Sequence, residues 1–297
     1  MSGPVEYIPA KTIVQRTRDA SWFGAQYNMN IYRGCSHGCI YCDSRSDCYR
    51  NDRFDQVSAK ADALRIIRDD LARKAKPGVV ATGSMSDPYN PFERDLLLTR
   101  RALILLEAYG FGAAIATKSD LITRDIDILT SIGRTMPVIC KLTITTCDSE
   151  LAARVEPRAP SPGRRLAALE ELSKAGLFTG VLMMPVLPFL EDNPDNVRDI
   201  VERAAGAGAR FIYPAMGMTC RAGQREYYYQ QLEACFPGLA ERYRRRYGAR
   251  YYCPSPRARE LWEVFREECG RRGVLYDMGR IISASRRSCE TGQLSLF

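Results

Sequence analysis

The 297-residue chain has a single histidine, His37. A structural zinc site takes four Cys or His ligands, commonly as two separated pairs, so one imidazole leaves little to build it from. No run of 18 apolar residues occurs, which excludes a membrane-spanning helix. The opening Met-Ser-Gly-Pro-Val-Glu-Tyr lacks the basic and apolar regions of a signal peptide. The eleven cysteines are odd in number and argue against a disulfide framework. These absences lead us to expect a cytoplasmic protein with no membrane partner. Lysine is missing from residues 221–297, where fifteen arginines face nine acidic residues. That stretch carries a surplus of six out of the net +8, and half of the 16 tyrosines. Arginine pairs with phosphate and tyrosine stacks on bases, so this is a candidate nucleic-acid face. The plainer reading is an amphipathic helix pair with solvated arginines and core tyrosines.

What the chain does have is Cys35-Ser-His-Gly-Cys39-Ile-Tyr-Cys42, three thiols in eight residues. Cysteine thiolates hold iron–sulfur clusters. Three of them can hold three irons of a four-iron cubane and leave the fourth open, and an open position separates a reactive metal centre from a sealed one. A zinc ion on Cys35, His37, Cys39 and Cys42 would be cramped, because close alternate residues would have to converge on one ion. Cys220, Cys235, Cys253, Cys269 and Cys289 raise the question of a second cluster, but their spacing is wide and contains no CxxC pair.

Strand-like and helix-like stretches alternate along the chain. Strands are expected over 27–33, 78–82, 111–117, 138–146, 178–184 and 209–216, and helices over 57–75, 98–109, 121–132, 164–175 and 193–207. Six βα-type repeats make the strands parallel, and sites in such sheets lie at the carboxyl ends of the strands. The expected fold is α/β, a partial (β/α)6 TIM-type barrel over 27–220 with a C-terminal helical extension. Residues 1–26 form an N-terminal segment, 221–282 an Arg/Tyr-rich helical extension, and 283–297 a flexible tail that starts as a linker.

The cysteine loop, with Tyr41 just before its last cysteine, resembles the signature of the radical S-adenosylmethionine (SAM) superfamily. Asn30-Ile-Tyr-Arg-Gly-Cys35, Ser86-Asp-Pro-Tyr89, Thr117-Lys-Ser119 and Glu156-Pro with Arg164-Arg165 resemble its spore photoproduct lyase-like branch, over about residues 27–188. The resemblance implies a 4Fe-4S cluster on Cys35, Cys39 and Cys42. It implies SAM chelated to the free iron and cleaved by an electron to methionine and a 5′-deoxyadenosyl radical, and a reductant such as flavodoxin or ferredoxin. It places Tyr41 against the adenine. The loop after strand two falls where the superfamily binds the amino group of SAM. Ser84, Ser86 and Asp87 are the residues considered there, since a carboxylate is a strong partner for an ammonium. Lys118, at a strand's carboxyl end, could pair with the SAM carboxylate. Alternation puts Thr143 and Thr145 on one face, toward ribose hydroxyls. Glu156 could orient substrate or SAM, and an arginine, Arg165, could bind a carboxylate or phosphate. Loop capping and surface salt bridges are the plainer readings of these positions.

Two departures matter. The namesake of the branch carries a hydrogen-donating cysteine two residues before Ser-Asp, where this chain has Ser84. It carries a tyrosine after the third cluster cysteine, where this chain has Asp43. A serine O–H is too strong a bond to donate hydrogen as a thiol does. Cys140 and Cys48 are the substitute donors considered, against the default of buried reduced thiols.

The chain ends Gln293-Leu294-Ser295-Leu296-Phe297, which resembles the pentapeptide that tethers bacterial polymerases and repair proteins to the sliding clamp. Leu294, Leu296 and Phe297 would enter apolar pockets while Gln293 makes a polar anchor. A staple on the protein's own surface is the alternative. The leading expectation is a radical SAM enzyme acting on DNA, in repair of a damaged base or a related modification. The alternatives are a peptide or small-metabolite substrate, or a non-enzymatic iron–sulfur protein that binds nucleic acid or the clamp.

Overall fold

The computed structural model describes residues 5–290, so the pentapeptide Gln293–Phe297 lies outside the described residues. Strands β1 (Glu6–Ile8), β2 (Val14–Arg16), β3 (Tyr27–Met29), β4 (Tyr32–Arg33) and β5 (Ser58–Lys60) precede helix α1 (Ala63–Ala72). Then come β6 (Val79–Thr82), α2 (Glu93–Leu96), α3 (Leu98–Ala108), β7 (Gly112–Thr117), α4 (Ile126–Gly133) and β8 (Val138–Thr143). They are followed by α5 (Ser149–Val155), α6 (Pro162–Lys174), β9 (Phe178–Met183), α7 (Pro194–Gly206) and β10 (Phe211–Pro214). The C-terminal part holds β11 (Gly217–Thr219), α8 (Gln224–Cys235), α9 (Leu239–Tyr247), β12 (Tyr252–Pro254), α10 (Ala258–Arg272) and α11 (Met278–Glu290).

A seven-stranded sheet in the order β10-β9-β8-β7-β6-β3-β2 is the frame. Every pair from β3 to β10 is parallel, and β2 adds an antiparallel edge. This is the expected partial (β/α)6 barrel. Parallel strands are covered on both faces and so read as unbroken buried runs; all six residues of β8 are buried. Alternation divides them. Cys140 and Leu142 join Leu103, Leu129, Leu169 and Ile200 in the core beneath the helices. Ile139, Ala114, Phe178 and Phe211 face the barrel interior, which Phe23 and Ile281 help to fill.

The strand expected over 27–33 is broken. β3 pairs with β6 in the main sheet, while β4 leaves it for β5. The break delivers the cysteine loop over the end of the barrel. The helix expected over 57–75 begins only at Ala63, because 58–60 is strand. β8 stops at Thr143, so Thr145 lies past the strand end. Residues 283–290, read as linker, belong to α11. Their turn-forming serines are outweighed by Ile281 and Ala284, which pack on the barrel interior.

The C-terminal part leans on the barrel. α10 lies along α7, Leu275 bridges to Phe211, and Ser255 Oγ donates to Asp192 at 2.7 Å. Tyr228, Tyr229, Tyr243 and Tyr247 are buried together, so for these four the plainer reading of core tyrosines holds. Tyr251 and Tyr252 stay exposed. Among the described residues no helix is long and apolar enough to cross a membrane.

Candidate active site

Glycine shapes the cysteine loop. Gly34 has φ +78°, and a Cβ there would sit 2.3 Å from the Gln56 carbonyl oxygen, so only glycine fits. Backbone N–H groups tie the loop down: Cys35 to the Phe54 carbonyl (2.8 Å), Ile40 to Val155 (2.9 Å), and Arg158 to His37 (3.0 Å). Arg158 Nε donates to the Ser36 carbonyl at 2.6 Å. Cys35, Cys39 and Cys42 are free thiols at a cavity of about 260 Å³, which Ser84, Ser86, Asp87, Lys118 and Thr143 also line.

The donor set fits an iron–sulfur cluster. Among the described residues no three His, Cys, Asp or Glu side chains are placed to hold one metal ion. Cys35, Cys39 and Cys42 line one cavity, and three thiolates can hold three irons of a cubane. Burial pushes all three thiols up, Cys35 to about 12. A coordinating metal removes such protons outright. Lys118 puts a positive charge near Cys39 and Cys42 that favours their thiolates.

Asp87 knits the loop after β6 to the end of β7. Its carboxylate accepts from Thr117 Oγ1 (2.6 Å), the Lys118 N–H (2.8 Å) and the Tyr89 N–H (2.9 Å). His37 Nδ1 lies 3.5 Å from the same carboxylate. Ser86 Oγ donates to the Gly34 carbonyl at 2.6 Å, clasping the cysteine loop. The lone histidine is therefore a buried neighbour of Asp87.

Beneath the cavity lies a buried ionic group. Glu156 accepts from the Tyr41 hydroxyl, pairs with Arg165 at 2.5 Å, and has Lys118 Nζ at 3.8 Å. Arg165 Nη1 donates to the Thr143 carbonyl at 2.9 Å. Burial pushes the Glu156 carboxyl up, but Arg165 and Lys118 outweigh it and hold it below the usual carboxylate range. Burial pulls Lys118 down, but Cys39 and Glu156 outweigh that, so its ammonium stays charged. Lys118 Nζ stands 5.6 Å from the Tyr41 ring centroid. Tyr41, Lys118, Glu156 and Arg165 thus form one connected unit, rather than two surface salt bridges.

Some sequence-predicted residues stand elsewhere. Thr145 Oγ1 is spent on Glu191 at 2.8 Å and is not on the cavity wall. Cys140 faces the helix-side core and is not on the cavity wall. Cys48 is exposed, with Arg221 Nη1 at 3.2 Å from its sulfur, and is also off the wall. Two residues were not read from the sequence. Glu191, fully buried and pushed well up by burial, accepts from Thr145 and from the Leu187 N–H at 2.9 Å. Gln224 Nε2 donates to the Tyr41 carbonyl at 2.9 Å. Neither sits in a motif, and the partners that tie them to the site, Thr145 and Tyr41, are distant in sequence.

The sequence profile of the radical SAM superfamily matches residues 29–208. An uncharacterized protein of Mycobacterium tuberculosis is 31% identical over 86% of this chain and 76% of its own length. An uncharacterized protein of Methanocaldococcus jannaschii is 32% identical over 57% of this chain and 63% of its own. Among solved structures, spore photoproduct lyase complexed with dinucleoside spore photoproduct superposes with a TM-score of 0.67 at 15% identity, over 90% of this chain and 80% of that one. A radical SAM methyltransferase from Kitasatospora setae gives a TM-score of 0.54 at 12% identity, over 90% of this chain and 58% of that one. The chain belongs to the radical SAM superfamily, enzymes that use a 4Fe-4S cluster and S-adenosylmethionine.

Proposed function

We propose that this enzyme acts on a base in DNA, in repair of a damaged base or a related nucleobase modification. When bound, the cluster and SAM together supply reductive cleavage of SAM to methionine and a 5′-deoxyadenosyl radical. Cys35, Cys39 and Cys42 hold the cluster. Lys118 offers its ammonium to the SAM carboxylate, and Ser86 and Asp87 face its amino group. Thr143 offers its hydroxyl at the rim. Glu156 and Arg165 act from below, positioning Tyr41 and Lys118. A flavodoxin- or ferredoxin-type reductant supplies the electron. The tail Gln293–Phe297 is read as a tether to the sliding clamp on its sequence.

One observation carries the choice of DNA. The β11–β12 ribbon docks on Asp43, the residue after Cys42: Thr219 Oγ1 donates to it at 2.8 Å and the Arg221 guanidinium lies 3.1 Å away. This brings the exposed Tyr251 toward the cysteine loop, with Arg221 Nη2 donating to its hydroxyl at 2.6 Å, and Tyr252 stays exposed on the same ribbon. An arginine and exposed tyrosines there suit a phosphate and a base taken out of its stack. The similar fold of spore photoproduct lyase holds a dinucleoside photoproduct, in keeping with this substrate class. The reading does not extend to reversal of a thymine dimer by that enzyme's relay, because Ser84 puts no thiol at the donor position.

The test is anaerobic loading with iron and sulfide, then dithionite and SAM, following 5′-deoxyadenosine with and without ultraviolet-irradiated DNA. We expect release to rise several-fold with damaged DNA and to vanish in Cys39→Ala. Release indifferent to every nucleic acid offered would overturn the DNA reading and leave SAM cleavage standing.

A further inference from the structure

A second cavity, of about 300 Å³, adjoins the cysteine cavity, and Ser44, Phe54 and Met85 line both. Its volume reaches the range of ligand pockets, roughly 300–1,000 Å³. Alternation along β3 builds it. Tyr27 and Met29 turn into the helix-side core, so Asn28 turns to the opposite face, with Gln15 across from it on β2. Asn30 follows at the break between β3 and β4. With Asn51, four amide side chains line the space.

The Oδ1 atoms of Asn28 and Asn30 are buried and, among the described residues, have no hydrogen-bond partner. Buried polar atoms are nearly always paired, so two orphaned amide oxygens on one cavity call for a ligand that donates to them. Asn28 Nδ2 stands 3.5 Å from Ser84 Oγ, so this wall continues into the loop that carries Ser86 and Asp87. Among the described residues no acidic side chain lines the cavity, whereas Arg33 and Lys60 do. Tyr49 and Phe54 add ring faces.

The geometry points to this cavity as the seat of the substrate base. A base edge that presents N–H donors meets Asn28 and Asn30, its ring lies against the aromatic wall, and its phosphate turns toward Arg33 and Lys60. Side-chain amides read base edges in this way because they carry a donor and an acceptor side by side. Ring faces and two cations without an acid favour a nucleotide over a peptide amide. The assignment deepens the proposed function and rests on it.

The full chain, loaded with cluster and SAM, is titrated with ultraviolet-irradiated oligothymidylate. Half-saturation is read both from 5′-deoxyadenosine release and from the fluorescence anisotropy of the labelled oligomer. In Asn28→Ala/Asn30→Ala it is expected to rise about tenfold or more, the loss of hydrogen bonds to two half-buried amides. N3-methylation deletes the only N–H of a thymine, and methylated oligomer should show a similar loss on the parent enzyme and little further loss on the variant. Cluster absorbance per chain and far-ultraviolet circular dichroism report whether the variant is folded. If it is not, the methylated oligomer on the parent enzyme decides alone. Unchanged half-saturation, with DNA still stimulating release, overturns the pocket and leaves the proposed function intact. No stimulation by any nucleic acid, or stimulation by short peptide amides instead, overturns both.

Discussion

Lys141 sits in the middle of β8 with 1% of its surface exposed. Its ammonium has the Ala114 carbonyl at 3.4 Å and the Phe23 ring centroid at 4.4 Å, and among the described residues no carboxylate partner. Burial pulls its pKa down to about 7. An unfolded lysine titrates near 10.4, roughly three units higher. The folded state therefore sheds the proton first as pH rises. The charged form is a penalty that is complete below about pH 7 and is relieved between about 7 and 10, so stability rises across that window. Lys141→Met is expected to stabilise the protein by about 2–4 kcal/mol at neutral pH and to flatten the rise. Urea unfolding of both chains between about pH 6 and 9 checks it, and a loss of stability would mean that the amine is paired. The residue itself is plain in the sequence. Its burial depends on Phe23 and Ala114, which no local pattern connects to it.

At the scale of elements, the loop after β6 is pressed onto β7. Gly83 has φ +93°, and a Cβ there would lie 1.9 Å from the Ala116 carbonyl oxygen. This close approach lets Asp87 reach Thr117 and the Lys118 N–H. Gly83→Ala is expected to cost roughly 2–4 kcal/mol through strain and overpacking. It should also raise the SAM concentration for half-maximal 5′-deoxyadenosine release, because the loop moves off Lys118. Parent-like unfolding and SAM dependence would remove this account. The strands around the loop were legible as buried runs bounded by turn formers. The break between β3 and β4 was not, because β4 departs to meet β5 and nothing within 27–33 announces that partner.

Across the whole molecule, the net charge of +8 is only partly free. Arg257, Arg259 and Arg271 pair with glutamates one turn away, and Arg242 lies 3.9 Å over the Phe189 ring. On the ribbon next to the cysteine loop, Arg221 is half-buried and paired with Asp43. If DNA lies there, its affinity should fall tenfold or more between about 50 and 200 mM salt. Arg221→Ala should then lower the slope of log affinity against log salt by about 1. Equal slopes for parent and variant in a filter-binding series would take the ribbon out of the interface. The same region shows where composition misleads: it is rich in tyrosine, yet four of its rings are spent on a core with Leu187 and Met218.

By itself, the sequence determined the loop of three closely spaced thiols and the parallel half-barrel. Both are written in short range: one eight-residue loop holds all three thiols, and each βα repeat shows its own periodicity. Tertiary structure alone decided which thiols face the cavity, with Cys140 turned behind the sheet. It alone joined Tyr41, Lys118, Glu156 and Arg165 into one buried ionic group. It alone made helix of residues 283–290, because Ile281 finds the barrel interior. Each of these depends on partners brought together by pairing and burial across long stretches of chain, and a linear pattern carries no record of such partners.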